Sequence, residues 1–105
     1  MFELIRNIFH IEKTDFAQLV REGAIILDVR SKGEYAGGHI RGSINISIDK
    51  LGTNLHQLKK SDRPIITCCA SGARSASAKS ILKSNGFTAV HNGGSWNSLK
   101  NKIGG

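Results

Sequence analysis

Two adjacent cysteines, Cys68 and Cys69, stand between an apolar stretch and a run of small residues. Residues 65–78 read Ile-Ile-Thr-Cys-Cys-Ala-Ser-Gly-Ala-Arg-Ser-Ala-Ser-Ala, which predicts a buried strand, a tight loop and the start of a helix. Small side chains let consecutive backbone N–H groups turn toward one point, and the helix adds the positive end of its dipole. Such a setting lowers the pKa of a thiol. The pattern predicts a nucleophilic or sulfur-carrying cysteine at position 69, partly exposed in electropositive surroundings.

Burial is the alternative interpretation of both thiols, because cysteine is among the residue types most often fully buried. For Cys68 we expect core packing. For Cys69 the small residues and the basic residue behind it favour reactivity. A disulfide between neighbours is strained, so we do not expect Cys68 to act as a resolving thiol. With no disulfide framework available, both thiols are expected to be reduced, as in the cytoplasm.

The bulk composition limits the classes of function. With 105 residues the chain can form one hydrophobic core, so 1–105 is expected to be a single domain. Its formal charge is +7, but the basic residues are scattered and only 6% of residues are aromatic, so nucleic-acid binding is not expected. The charge should instead attract small anions. Glu3 and Arg6 interrupt the first apolar segment, so we expect neither a signal peptide nor a membrane span.

Apolar runs and helical spacings alternate along the chain. Strands are expected at 9–11, 24–29, 43–47, 65–69 and 88–91. Helices are expected from a cap at Thr14 to Gly23, at 32–35, at 49–58, at 74–84 and after a capping segment that ends at Ser95. This alternation predicts an α/β fold with a central parallel sheet of about five strands and helices on both faces. Sites in such sheets lie beyond the carboxyl ends of strands, which is where Cys69 falls.

Four motifs occur in a fixed order. They are Asp-Val-Arg at 28–30, Glu-Tyr-Ala-Gly-Gly-His-Ile-Arg-Gly-Ser-Ile-Asn-Ile at 34–46, Cys-Ala-Ser-Gly-Ala-Arg-Ser at 69–75 and Gly-Gly-Ser-Trp at 93–96. Over residues 9–102, taken as the core of the domain, the chain resembles a single-domain rhodanese, a sulfurtransferase. Two departures are visible: Arg41 stands where the family usually has proline, and the segment between Val90 and Trp96 is shorter than is common.

The resemblance implies a reaction and a set of residues. Cys69 would accept a sulfane sulfur from a small anionic donor such as thiosulfate and pass it, as a persulfide, to cyanide or a thiol, including a thiol on an acceptor protein. No metal or organic cofactor is called for, and a monomer is expected. Backbone N–H groups of the loop would stabilise the persulfide as an oxyanion hole does. The active-site residues implied are Ala70, Ser71, Gly72, Ala73, Arg74, Ser75 and Arg30.

Several polar residues have both structural and functional interpretations. Arg74 would hold the donor or orient the loop. Arg30 would guard the entrance or pair with Glu34, a pair of little energetic consequence if exposed. Asp28 at a strand end is expected to hold neighbouring backbone in place. We expect His39 to be a packed loop residue and Trp96 a core residue.

Two other functions remain open on the sequence. Five residues separate Cys68 from Arg74, and this spacing followed by Ser75 resembles cysteine-dependent phosphatases, including some with a rhodanese-like fold. A loop counted from Cys68 would admit phosphate or arsenate, whereas the shorter loop counted from Cys69 closes on one sulfur. Phosphatase chemistry needs an acid for the leaving oxygen, and no Asp or Glu follows Asp62. A non-catalytic binding module is the third possibility, since fold alone does not fix function.

Overall fold

The computed structural model describes residues 14–59 and 62–104. In this part of the chain four strands form one parallel sheet in the order β2-β1-β3-β4. The fifth strand expected, at 9–11, lies outside the described residues. The strands are β1 Ile25–Asp28, β2 Ile44–Asn45, β3 Ile65–Cys69 and β4 Val90–Ser95; the helices are α1 Phe16–Arg21, α2 Lys32–Ala36, α3 Ile48–Leu51, α4 His56–Lys59, α5 Ala73–Ser84 and α6 Trp96–Lys102.

Both faces of the sheet are covered, as the apolar strands predicted. One face packs against α3, α4 and α5 through a cluster that includes Leu27, Leu51 and Leu82. The other face packs against α1 and α6 through a cluster that includes Ile66 and Leu99. Alternate residues of a strand point to opposite faces, so β1 and β3 each contribute to both clusters. The α/β architecture expected from the sequence is confirmed.

The segment predicted as one helix over 49–58 is two short helices, α3 and α4. Gly52 ends the first, and the Asn54 side chain donates to the Lys50 carbonyl oxygen at 2.8 Å, which closes the turn between them. This break leaves Leu55 buried together with Leu58. Local helical spacing indicated which leucines face the core but not the turn that brings them there.

Strand β4 begins later and runs further than predicted, because it includes Gly93 and Gly94. A Cβ atom at Gly93 would lie 2.8 Å from Ile66 Cγ2, 2.8 Å from the Thr67 carbonyl oxygen and 2.9 Å from Leu99 Cδ2. Only glycine therefore fits where β4 passes between β3 and α6. Glycine is a poor strand former by propensity, which is why the sequence pattern placed the strand too early.

Side-chain caps fix the starts of α1 and α6. Asp15, not Thr14 as expected, caps α1 by accepting from the Gln18 N–H at 3.0 Å. Ser95 caps α6 as predicted, accepting from the Ser98 N–H at 3.2 Å. None of the helices within 14–59 and 62–104 has both the length and the apolar character to cross a bilayer.

Candidate active site

Cys69 is the last residue of β3, and the loop that follows folds back over its sulfur. The backbone N–H of Gly72 donates to Cys69 Sγ at 2.9 Å, and that of Ser75 donates at 3.3 Å. The turn needs a positive φ of 102° at Gly72, a conformation that L side chains rarely adopt. Helix α5 starts at the next residue, so its N-terminus faces the sulfur. The arrangement of N–H groups expected from the sequence is present.

These contacts determine the pKa of Cys69. Burial raises the pKa of the thiol, but hydrogen bonds from the Ser75 hydroxyl and from the backbone N–H groups of Ser75, Gly72 and Ser71 outweigh it and hold the pKa below its ordinary value. Each of these donors favours the charged form. The loop therefore increases the fraction of Cys69 present as thiolate.

The Ser75 hydroxyl has two oxygen acceptors within reach, Asn92 Oδ1 at 2.6 Å and the Gly72 carbonyl oxygen at 2.9 Å. The protonated thiol of Cys69 donates to Ser75 Oγ at 3.5 Å. Once Cys69 is a thiolate, its sulfur becomes a third acceptor for the same hydroxyl proton. The Gly94 N–H donates to Asn92 Oδ1 at 2.9 Å and fixes the orientation of the amide. Asn92 was not predicted as part of the site. Its position directly before Gly93 and Gly94 in the family motif was the one available signal.

One expectation about Cys69 is wrong. The sequence predicted a partly exposed thiol, but Cys69 has no exposed surface. The reason is that the loop closes directly on the sulfur, with the Gly72 N–H at hydrogen-bond distance. The residues above it, Ala70, Ser71 and Ala73, are exposed. They contribute backbone to the loop and no charge.

Cys68 lies on the opposite face of the sheet from Cys69. It is fully buried with Ile26, Ile66 and Leu99, whereas Cys69 belongs to the cluster under α5. Burial, with a smaller contribution from the charge of Asp28, raises the pKa of Cys68 to about 12. Core packing of Cys68 is therefore confirmed. A phosphatase loop centred on Cys68 is inconsistent with this placement.

Arg30 is buried and does not form an ion pair with Glu34, which was one of its two interpretations; Arg30 Nη1 donates only to the Glu34 backbone carbonyl oxygen, at 3.3 Å. It pairs with Asp28, with Arg30 Nη2 2.7 Å from Asp28 Oδ2, and the same nitrogen donates to the Gly38 carbonyl oxygen at 2.7 Å. Its guanidinium also lies over the Trp96 ring, 4.6 Å from the centroid. Asp28 is the nearer of the two acids along the chain, and the Arg30 side chain turns inward, where Asp28 is buried. Arg30 thus joins β1 to the loop that contains Gly38.

Arg74 is the partner of Glu34 instead. Nη1 donates to Glu34 Oε1 at 2.7 Å and Nη2 donates to Oε2 at 2.9 Å, and both side chains are about one third exposed. Glu34 also forms a capping box with Ser31 at the start of α2. The hydrogen bonds from Arg74 and Ser31 lower the pKa of Glu34 to about 2. This pair links α2 to the end of the Cys69 loop.

The other side chains considered from the sequence lie around this centre. Trp96 is partly buried against the core and covers Gly38, where an added Cβ would lie 3.2 Å from Trp96 Cη2. His39 is exposed and stacks on Tyr35 with ring centroids 3.8 Å apart. Asp28 accepts from the Arg30 backbone N–H at 3.0 Å, so it orders the backbone at the end of β1 as predicted.

Comparison with known proteins agrees with this geometry. The model of the rhodanese-like domain family matches residues 12–102. The chain therefore belongs to the rhodanese-like domain family.

Named relatives come from several bacteria. The chain is 35% identical over 78 residues to thiosulfate sulfurtransferase GlpE of Pseudomonas fluorescens (strain SBW25), which covers 73% of this chain and 71% of GlpE. It is 35% identical over 69 residues to the uncharacterized protein YqhL of Bacillus subtilis (strain 168), which covers 66% of this chain. The match spans about half of YqhL, 54% of its length.

Solved structures show the same fold. An E. coli rhodanese with anions superposes with a TM-score of 0.68 at 27% identity, covering 72% of this chain and 91% of that one. The human single-domain sulfurtransferase TSTD1 gives a TM-score of 0.67 at 28% identity, covering 81% of this chain and 88% of that one. The family and fold predicted from the four motifs are confirmed.

Proposed function

We propose that this protein is a sulfurtransferase in which Cys69 carries the transferred sulfur as a persulfide. The observation that carries the proposal is the pair of backbone N–H groups, from Gly72 and Ser75, that donate to Cys69 Sγ. Donors placed in this way stabilise negative charge on the sulfur of Cys69. Relatives named thiosulfate sulfurtransferase support the class of reaction.

The first step loads the sulfur. The Cys69 thiolate attacks the sulfane sulfur of a donor such as thiosulfate and forms a new S–S bond. The S–S bond of the donor breaks, and sulfite leaves with its electron pair. The negative charge then resides on the terminal sulfur of the persulfide, within reach of the same N–H groups. Because both sides of the step carry the same charge, no proton is needed.

The second step transfers the sulfur. A thiophilic acceptor, cyanide or a thiolate, attacks the terminal sulfur, and Cys69 leaves as a thiolate. With cyanide the product is thiocyanate. The hydrogen bonds that lower the pKa of Cys69 also make it a better leaving group. Dividing the transfer between two displacements on one cysteine lowers the barrier of each.

Access to the sulfur requires the loop to move. Cys69 has no exposed surface, so the donor reaches Sγ only when residues 70–73 shift outward. The N–H groups of the loop then have room to surround a second sulfur atom. The chemistry proposed needs no cofactor and needs a reduced Cys69, as in the cytoplasm.

Mass spectrometry of the intact protein tests the proposal. Incubation with thiosulfate should add one sulfur atom to Cys69, and cyanide should remove it with release of thiocyanate. Cys69→Ser should abolish the gain. Cys68→Ala is the matched control and should still load, because Cys68 lies on the other face of the sheet. Failure of the folded wild type to gain sulfur from thiosulfate would refute the proposal and favour a binding module.

A further inference from the structure

We propose that Glu34 sets the donor preference of the Cys69 site by competing with anionic donors for Arg74. The inference rests on the proposed sulfur transfer and concerns the charge of the donor. It starts from the exposed ion pair beside the loop, in which both terminal nitrogens of Arg74 bind the Glu34 carboxylate. A bidentate fork of this kind is the arrangement with which arginine binds oxyanions in general.

Arg74 is the one cationic side chain that the loop itself supplies. Between Cys68 and Ser75 the remaining side chains are neutral. Arg30, the other arginine implied in the site, is buried against Asp28. Arg74 directly precedes Ser75, whose backbone N–H donates to Cys69 Sγ at 3.3 Å, so the Arg74 side chain starts beside the reactive sulfur. An anionic donor approaching Cys69 therefore meets, on the loop itself, one cation whose charge Glu34 already neutralises.

Glu34 is held in this position independently of Arg74. Its Oε1 accepts from the Ser31 backbone N–H at 3.0 Å, and its own N–H donates to Ser31 Oγ at 3.2 Å. With a pKa of about 2, it is a carboxylate at every pH at which the protein would work. The competing negative charge is thus permanent and fixed beside the loop. Because an exposed ion pair is weak, a donor can displace it.

The consequence is a preference that depends on donor charge. A fixed negative charge opposes each negative charge of the donor to the same extent, so its effect grows with the number of those charges. For a solvent-exposed unit charge a few ångströms away, the effect is about threefold per unit of donor charge. The site should therefore favour a donor of low charge, such as an alkyl persulfide or a monoanion, over a dianion.

Glu34→Gln tests this while preserving the helix start, because glutamine at this position of a capping box can still accept from the Ser31 N–H. Glu22→Gln is the matched control. It removes the same charge from an exposed residue that precedes β1, at the end of the sheet opposite to Cys69. Thermal unfolding of both variants establishes that they fold as the wild type does.

Three reagents provide a series of charges. Iodoacetamide is neutral, benzenethiosulfonate carries one negative charge and thiosulfate carries two. Second-order rate constants for modification of Cys69 are measured by mass spectrometry at low ionic strength. The rate constant of Glu34→Gln divided by that of the wild type should be about one for iodoacetamide, about three for benzenethiosulfonate and about ten for thiosulfate. Because iodoacetamide is neutral, its rate constant corrects for any change in the pKa of Cys69. Added salt should reduce the ratios measured with the two anionic reagents.

Other outcomes would overturn the inference. If the ratio of rate constants were the same for all three reagents, the ion pair would control access to Cys69 regardless of the charge of the reagent. Ratios below one for the two anions would mean that Glu34 orients Arg74 for donor binding. The same ratios in Glu22→Gln would assign the effect to net charge. If iodoacetamide modifies wild-type Cys69 but neither sulfur donor loads it, the proposed function itself fails, and the inference with it.

Discussion

Replacing Ser75 with alanine should raise the pKa of Cys69. The Ser75 hydroxyl is among the groups that hold this pKa below its ordinary value. Ser75→Ala removes that hydroxyl but keeps the backbone N–H that donates to Cys69 Sγ. The substitution leaves neither acceptor of the Ser75 hydroxyl without a hydrogen bond. The Gly94 N–H still donates to Asn92 Oδ1, and the Ala76 N–H still donates to the Gly72 carbonyl oxygen. The change therefore isolates one donor.

The size of the effect follows from the geometry. A hydrogen bond to a charged group contributes about 1.5–3 kcal/mol. The 3.5 Å separation of oxygen and sulfur is long, and two nearer acceptors compete for the single proton, so we expect about 1 kcal/mol. Since about 1.4 kcal/mol corresponds to one pKa unit, the pKa of Cys69 should rise by about 0.5–1 unit.

The assay is the pH dependence of iodoacetamide alkylation, with the adduct located by mass spectrometry. Cys68 does not interfere, because its pKa of about 12 keeps it protonated. The alkylation profile of Ser75→Ala should move toward alkaline pH, and sulfur loading at neutral pH should slow in proportion to the lost thiolate. Ser77→Ala, an exposed serine of the same helix, is the matched control. An unchanged or lower pKa in folded Ser75→Ala would refute the role assigned to the hydroxyl.

Three further changes should have distinct effects. Asn92→Ala should lower the pKa of Cys69, because it removes the nearest acceptor that competes with the thiolate for the Ser75 hydroxyl proton; an alkylation profile shifted toward alkaline pH would contradict this. Gly93→Ala should reduce the free energy of unfolding in urea by about 1–3 kcal/mol through overpacking, since its Cβ would lie 2.8 Å from Ile66 Cγ2; unchanged stability would show that β4 can shift. Asp28→Asn should destabilise by about 3–5 kcal/mol, because Arg30 is left buried without a counter-charge; a loss below about 1 kcal/mol would mean that the carbonyl acceptors suffice.

Local sequence was sufficient to predict the part of the site that is contiguous in the chain. The strand, loop and helix around Cys69 lie within residues 65–84, and their small residues and glycine dictate the turn. The different roles of Cys68 and Cys69 follow from the two-residue alternation of a strand. The complete burial of the Cys69 sulfur by the loop was not evident, because it depends on distances between backbone atoms that residue types do not encode.

Contacts between residues that are far apart in the chain could not be predicted from the sequence. Glu34 and Arg74 are 40 residues apart and meet only because β1 and β3 are adjacent in the sheet. Asn92 reaches Ser75 for a similar reason, since β4 lies beside β3. For Arg30, the sequence suggested Glu34 as a partner, whereas the ion pair forms with Asp28, which is buried beside it.

The two thiols of this chain are neighbours in sequence but lie on opposite sides of a sheet. With only these two cysteines in the chain, a sulfenic acid formed at position 69 has no internal thiol to condense with. Its repair must be bimolecular, so the rate of recovery after peroxide treatment should scale with the concentration of an added small thiol. A molecule that carries sulfur on one cysteine thus depends on the surrounding thiol pool to regain its reduced form.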